Sequence, residues 1–192
     1  MRIDLTYKLT REMLDKFLGG VQNDGKYQKF GHIGTHFDVM DKSFPLEYCE
    51  LSGKIFDVSN VENRDIESGD FEMDEVEEKD FVIFHTGMMD KEGYGTEPYF
   101  RQHPQLSYEL IRELIKKNVG LIGVDFAGVR RGAEHAPADQ LCADNGIFII
   151  ENLNNTKQLL EAAGARSFTM HTYPLNLGGA TGLPARVIAE LA

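Results

Sequence analysis

The run His32-Ile33-Gly34-Thr35-His36-Phe37-Asp38 places two imidazoles and a carboxylate around a glycine. These are the donor types that a borderline-soft divalent cation takes. An α-helix would set His32 and His36 on one face, but at 100° per residue Asp38 would lie far round the cylinder. A strand sets all three on one face. Four residues at roughly 3.3 Å rise then separate the histidine α-carbons by about 13 Å, whereas metal–nitrogen bonds are about 2 Å. The chain must therefore bend at Gly34-Thr35, or the residues serve two ions. Gly34 suits either case, because it tolerates unusual dihedrals and lets the backbone approach an ion closely. Two histidines satisfied independently at a strand end would explain one imidazole better than this trio.

Other residues are candidates by position. Glu151 directly follows Ile147-Phe148-Ile149-Ile150, and a carboxylate there is costly to bury unless paired or coordinated. His85 ends the apolar run Phe81-Val82-Ile83-Phe84, and the carboxyl end of a strand is where sites form in α/β sheets. The glycine-containing loop 126–137 gathers Arg130, Arg131, Glu134 and His135, and such loops carry function more often than cores do. Phe37, Tyr94, Tyr99 and Phe100 are candidates to line a pocket for a planar substrate, and equally candidates for packed core or a subunit interface.

Composition narrows the partners. A net charge of −11 on 192 residues, with no Lys/Arg-rich tract, excludes general binding to nucleic acid or to anionic membranes. Ten acids against Arg64 and Lys79 between Glu62 and Asp80 lack the spacing of a calcium loop and read as a solvated connecting face. Cys49 and Cys142 fit no zinc-ribbon or redox spacing and are expected as free thiols. The opening MRIDLTYKLT has no signal-peptide core and no apolar run reaches about 18 residues, so a cytoplasmic protein is expected.

The elements that must position these residues follow from apolar periodicity. A strand is expected over 2–8, a helix over 10–18, and a loop over the next ten residues. Asp80 leads into a buried strand. Ser107 N-caps a helix over 107–118 with Leu110, Ile111, Leu114 and Ile115 as its apolar stripe. Strands follow at 119–124 and 147–150, a short helix opens at Pro137, and another runs from Thr156 to Gly164. The glycine-rich tail ends in a strand around Arg186-Val187-Ile188. With no internal repeat or linker, 1–192 reads as one domain.

The ligand run, Phe84-His85-Thr86-Gly87, the segment Gly120 to Asp125, Glu151-Asn152-Leu153 and the closing PLNLGGATGLPARVIAEL together resemble the cyclase family of metal-dependent hydrolases, which includes bacterial kynurenine formamidase and isatin hydrolase. The resemblance covers nearly the whole chain. It implies a swivelling β/β/α fold, a mixed sheet with flanking helices, assembled as a homodimer or larger homo-oligomer. It implies one or two divalent ions, zinc first and manganese second. His32, His36 and Asp38 would be ligands, with Asp38 able to bridge two ions, and Glu151 matches the family's glutamate ligand. Two positions depart from the pattern. The family's catalytic histidine falls on Lys42, and its remaining histidine ligand falls on Asp139. Asp139 can ligate through oxygen, which hardens the site. His135, four residues earlier, is the other candidate, although Pro137 between them puts a shared helical face in question.

The implied reaction is hydrolysis of an amide, formamide, lactam or lactone of a small molecule, since a bound divalent ion acidifies water and polarises a carbonyl. Lys42 is the first candidate for proton transfer, because a lysine near cations in a partly desolvated pocket has a depressed pKa. His135 and His85 are the imidazole candidates. Two further readings stay open: a metal-containing binding protein without turnover, and dehydrative ring closure by the same parts.

Overall fold

The computed structural model describes residues 1–7, 11–19, 28–164 and 166–191. The end of the expected first strand, the first residue of the expected first helix and most of the loop that follows it lie outside the described residues. The sheet is mixed and flanked by helices, as expected. Its strands are β1 (Arg2–Asp4), β2 (His36–Asp38), β3 (Glu50–Asp57), β4 (Phe81–His85), β5 (Leu121–Val124), β6 (Phe148–Glu151), β7 (Phe168–Pro174) and β8 (Gly182–Glu190). The order is β1-β8-β2-β6-β5-β4-β3-β7, and β7 also pairs with β8, so the sheet closes on itself.

Two kinds of pairing make up this ring. β3, β4, β5 and β6 run parallel, and β4, β5 and β6 are buried along their whole length. Their continuous Val/Ile/Leu/Phe runs are what a parallel sheet covered on both faces requires. β2, β7 and β8 complete the ring through antiparallel pairings. β7 alternates buried Phe168, Met170 and Thr172 with more exposed residues, the pattern of a strand with one wet face.

Six helices are described: α1 (Arg11–Leu18), α2 (Met88–Glu92), α3 (Glu97–Arg101), α4 (Tyr108–Lys116), α5 (His135–Asp144) and α6 (Thr156–Ala163). The Ser107 side chain accepts the Leu110 N–H and starts α4 as expected. Leu110, Ile111 and Leu114 then pack with Ala138 and Cys142 of α5 against Val82, Phe84, Ile122 and Val124. On the opposite face of these strands Phe37, Phe81, Ile83, Leu121, Ile150, Leu183 and Val187 form a second core. The acidic 62–80 segment is more structured than a solvated face. Arg64 pairs with Asp70, and Asp80 is buried, accepting the Glu77 N–H.

The carboxyl ends of β4, β5 and β6 point to one rim, and β2 enters that rim antiparallel beside β6. His36 stands opposite Glu151 in this register. The two acidic and imidazole-bearing segments thus meet where a parallel strand ends and an antiparallel one begins.

Candidate metal centre

The bend required by the ligand run is at Gly34, whose φ is +66°, a conformation that favours glycine. β2 starts only at His36, so His36 and Asp38 share one strand face while Phe37 points into the core between them. His32 folds back over the turn. Its Nδ1 lies 3.2 Å from His36 Nε2 and 3.1 Å from Asp38 Oδ1, and His36 Nε2 lies 3.5 Å from Asp38 Oδ1. A tetrahedral ion with bonds near 2.05 Å needs donor–donor separations of about 3.3 Å. The three spacings bracket that value.

Small residues make room for this fold-back. A side chain at Gly182 would come within 2.8 Å of the His32 ring and of the Gly31 carbonyl oxygen, and one at Gly31 within 2.4 Å of the Gly182 carbonyl oxygen.

Two more elements bring acids to the same point. From β6, Glu151 Oε2 lies 3.6 Å from His36 Nε2. From α5, His135 Nε2 lies 3.1 Å from Asp139 Oδ2 and 3.2 Å from Glu151 Oε1. Pro137, which left a shared helical face open in the sequence, does not separate His135 from Asp139. α5 begins at His135, so Pro137 sits in the first turn, where its missing N–H has no intrahelical partner to lose. His135 and Asp139 therefore share a face. The His135 ring rests against Gly128, where any side chain would come within 2.4 Å of it.

The donors form two groups with a common member: His32, His36 and Asp38, and Asp38, His135 and Asp139, each with ligand atoms within 4.8 Å of one another. Both oxygens of Asp38, Oδ1 of Asp139 and Oε1 of Glu151 are buried and, among the described residues, receive no well-directed hydrogen bond; Asp38 Oδ1 and Glu151 Oε1 face only the imidazoles of the cluster. Buried carboxylate oxygens left so are expensive unless a cation meets them. The donor set, two to three imidazoles with three acids, fits a divalent cation.

The electrostatics agree. Burial opposes charge on His36, but Asp38 and Glu151 outweigh it and raise the pKa to about 9. Hydrogen bonds to Asp139 and Glu151 hold His135 up at about 11. Burial pushes Asp139 up to about 7, with Asp38 and Glu151 adding repulsion. Burial likewise raises Glu151, with Asp38 adding to it, whereas the neighbouring imidazoles draw Asp38 down against its own burial. Protons hold the positive charge that three crowded acids demand.

Around the donors lies a buried polar frame. His36 Nδ1 sits 2.8 Å from the Gly34 carbonyl, which can only accept, so Nδ1 carries the proton and Nε2 faces the cluster. Asn152 Nδ2 donates to the same carbonyl, and the Tyr99 hydroxyl donates to Asn152 Oδ1. The Tyr94 hydroxyl accepts the Gly34 N–H, and Thr35 Oγ1 donates to the Asn152 carbonyl. Asn152, Tyr94 and Tyr99 thus hold the ligand loop, as metal-binding histidines require of their surroundings. The only sequence signal for Asn152 was its place beside Glu151.

A sequence-family model described as "Putative cyclase" matches residues 3–130. The chain belongs to the Cyclase family. Among solved structures, isatin hydrolase A from Ralstonia solanacearum has a TM-score of 0.76 at 18% identity, covering 100% of this chain and 92% of its own. A predicted metal-dependent hydrolase from Bacillus stearothermophilus has a TM-score of 0.71 at 23% identity, covering 98% and 97%. Isatin hydrolase A from Labrenzia aggregata, bound to benzyl benzoate, has 0.73 at 21% identity, covering 100% and 93%. No curated protein sequence matches the chain.

Two expectations, one drawn from the Cyclase-family pattern and one from a strand end, need correction. Lys42 does not reach the centre. Its Nζ pairs with Asp144 at 2.7 Å and with Asp41 at 3.1 Å, and these hydrogen bonds raise its pKa rather than lower it. His85 turns to the Thr156 hydroxyl at 2.8 Å and toward Asp125 at 3.4 Å, away from the ligand cluster. Of the candidate pocket aromatics, Phe37 is core, Tyr94 and Tyr99 are buried frame, and Phe100 is exposed and edges onto Phe17 and Tyr94. Among the described residues, no helix is long and apolar enough to cross a membrane.

Proposed function

We propose that this chain is a metal-dependent hydrolase that opens an amide, formamide, lactam or lactone bond of a small molecule. One observation carries the reading: buried carboxylate oxygens of Asp38, Asp139 and Glu151, which among the described residues meet no donors beyond the imidazoles of the cluster, converge with His32 and His36. The names of the similar solved structures support the same reaction class. A divalent ion bound there supplies Lewis acidity, which acidifies water and polarises a carbonyl.

His32 Nδ1, His36 Nε2 and Asp38 present the primary donors, and Glu151 closes the set from β6. Two imidazoles favour zinc, and the surplus of carboxylates extends the range to manganese. His135 takes the proton-transfer role first expected of Lys42. It touches both Asp139 and Glu151, and with 36% of its side chain exposed it connects the buried acids to solvent. Asp139 orients the imidazole and balances its charge. The displacement of Lys42 onto Asp144 is the one observation that favours the alternative, a metal-containing binding protein of the same fold without turnover.

Metal analysis of the purified protein, with a panel of N-formyl arylamines, isatin-like lactams and lactones, tests the reading. Stoichiometric zinc or manganese, absent from His36→Ala, is expected. So is turnover that is lost on EDTA treatment and returns with the metal. Full activity of the metal-free protein would refute the metal role, and metal without turnover across the panel would leave the binding protein.

A further inference from the structure

The two histidines of the ligand run offer different nitrogens to the centre. His36 presents Nε2, because the Gly34 carbonyl takes its Nδ1 proton. His32 presents Nδ1, and the reason lies far away in sequence. His32 Nε2 lies 2.9 Å from Thr181 Oγ1, a hydroxyl that has one proton to give.

The direction of that proton follows from Gln28. Gln28 Oε1 lies 2.9 Å from Thr181 Oγ1 and accepts the Thr181 N–H at 3.1 Å, while Gln28 Nε2 donates to the Gly179 carbonyl at 3.2 Å. A backbone N–H can only donate and a carbonyl can only accept, so the orientation of the Gln28 amide is determined. Gln28 Oε1 therefore takes the Thr181 hydroxyl proton, and Thr181 Oγ1 is left as an acceptor. His32 Nε2 must carry a proton to meet it. The lone pair is then on Nδ1, 3.1 Å from Asp38 Oδ1 and 3.2 Å from His36 Nε2.

Thr181 is itself held rigidly. Its carbonyl accepts the N–H groups of Val39 and Met40, which directly follow Asp38. The ring beneath it rests on Gly182, where a side chain would collide with it.

We infer that Gln28 and Thr181 are positioning residues that lock His32 in the Nε2–H tautomer, so that it serves as an Nδ1 ligand beside the Nε2 ligand His36. The inference rests on the metal-binding reading above. It assigns a role to the Thr-Gly step of the glycine-rich tail, which no property of the ligand run by itself explains.

The test uses full-length protein loaded with zinc alone. In the wild type, long-range proton–nitrogen correlation spectra of 15N-histidine-labelled protein are expected to show His32 with Nε2 protonated and Nδ1 bound to the metal. Thr181→Val keeps the shape and removes the acceptor. Zinc affinity, read by competition with a chromophoric chelator, should fall about 10- to 100-fold, the usual cost of losing such an outer hydrogen bond. Thr181→Ser should restore it, and Gln28→Ala should weaken binding in the same direction. A His32 bound through Nε2, or a Thr181→Val protein that holds zinc as tightly as the wild type while His36→Ala does not, overturns the inference and leaves the metal reading standing. A wild-type protein that takes up no zinc or other divalent ion overturns both. The wild-type spectrum decides the matter even if Thr181→Val fails to fold.

Discussion

Gly128→Ala isolates the part played by His135, because it alters the seat of the imidazole without touching its chemistry. An added Cβ would lie 2.4 Å from His135 Cε1 and 2.5 Å from Nδ1, against 3.4 Å for ordinary contact. The ring must therefore yield by about 1 Å, and a misplacement of that size costs about 100-fold in rate when it falls on a reacting group. The donors His32, His36 and Asp38 are not among the nearest neighbours of that Cβ, so zinc stoichiometry should be unchanged. The backbone also resists. Gly128 has φ +98°, and a non-glycine residue at positive φ costs about 1–2 kcal/mol, or a fall of about 2–8 °C in Tm for a chain of this size. Turnover on the best substrate of the panel, metal content and Tm are measured side by side with His135→Ala, which should lose about 10²- to 10⁴-fold as a removed acid–base group does. The double variant should lose no more than His135→Ala, since both changes act through one ring. A Gly128→Ala enzyme with wild-type turnover would refute the assignment of His135 to proton transfer. Loss of the ion in either variant would make His135 a ligand.

Lys42→Met should leave turnover and Tm at wild-type values, because among the described residues the lysine pairs only with surface carboxylates; a 100-fold loss would return it to the reaction. His103 should make the fold sensitive to acid. Burial, with Arg131 and His135 nearby, pulls its pKa from 6.5 down to about 4. Below about pH 6.5 the unfolded chain takes up a proton that the folded chain refuses until about pH 4. Stability is therefore full above that window and falls through it as pH drops, by about 3 kcal/mol. Urea midpoints between pH 7 and 4 should show this slope in the wild type and not in His103→Phe, which preserves the stacking on Phe126; equal slopes would refute it.

What could be read in the sequence is what local geometry dictates. The bend at Gly34 follows from asking His32, His36 and Asp38 to share one ion, and α4 follows from Ser107 and its apolar stripe. The parallel strands β4, β5 and β6 stand out as continuous apolar runs. What could not be read depends on partners brought in by the closed sheet. Thr181 reaches His32 only because β8 pairs with β2, and Asn152 reaches Gly34 because β6 does. Lys42 was misplaced because the motif gives its spacing from Asp38 but not the turn after β2. There its N–H donates to the Val39 carbonyl and its side chain meets α5 at Asp144. Pro137 misled in the opposite way, since a proline stops a helix in the interior and starts one in the first turn.

The arrangement on α5 is best understood through charge. Asp139 is the third carboxylate in a pocket that also buries Asp38 and Glu151. Such a group is costly, and the upward shifts of Asp139 and Glu151 express that cost. One helical turn earlier on the same face, His135 meets both acids at 3.1–3.2 Å, and they raise its pKa to about 11. His135 and Asp139, one turn apart on α5, thus bring an imidazole and a carboxylate to the same point. His135 is bounded by Gly128 on one side and by solvent on another, a position from which it can exchange protons, whereas an imidazole at 139 would be buried against the donors.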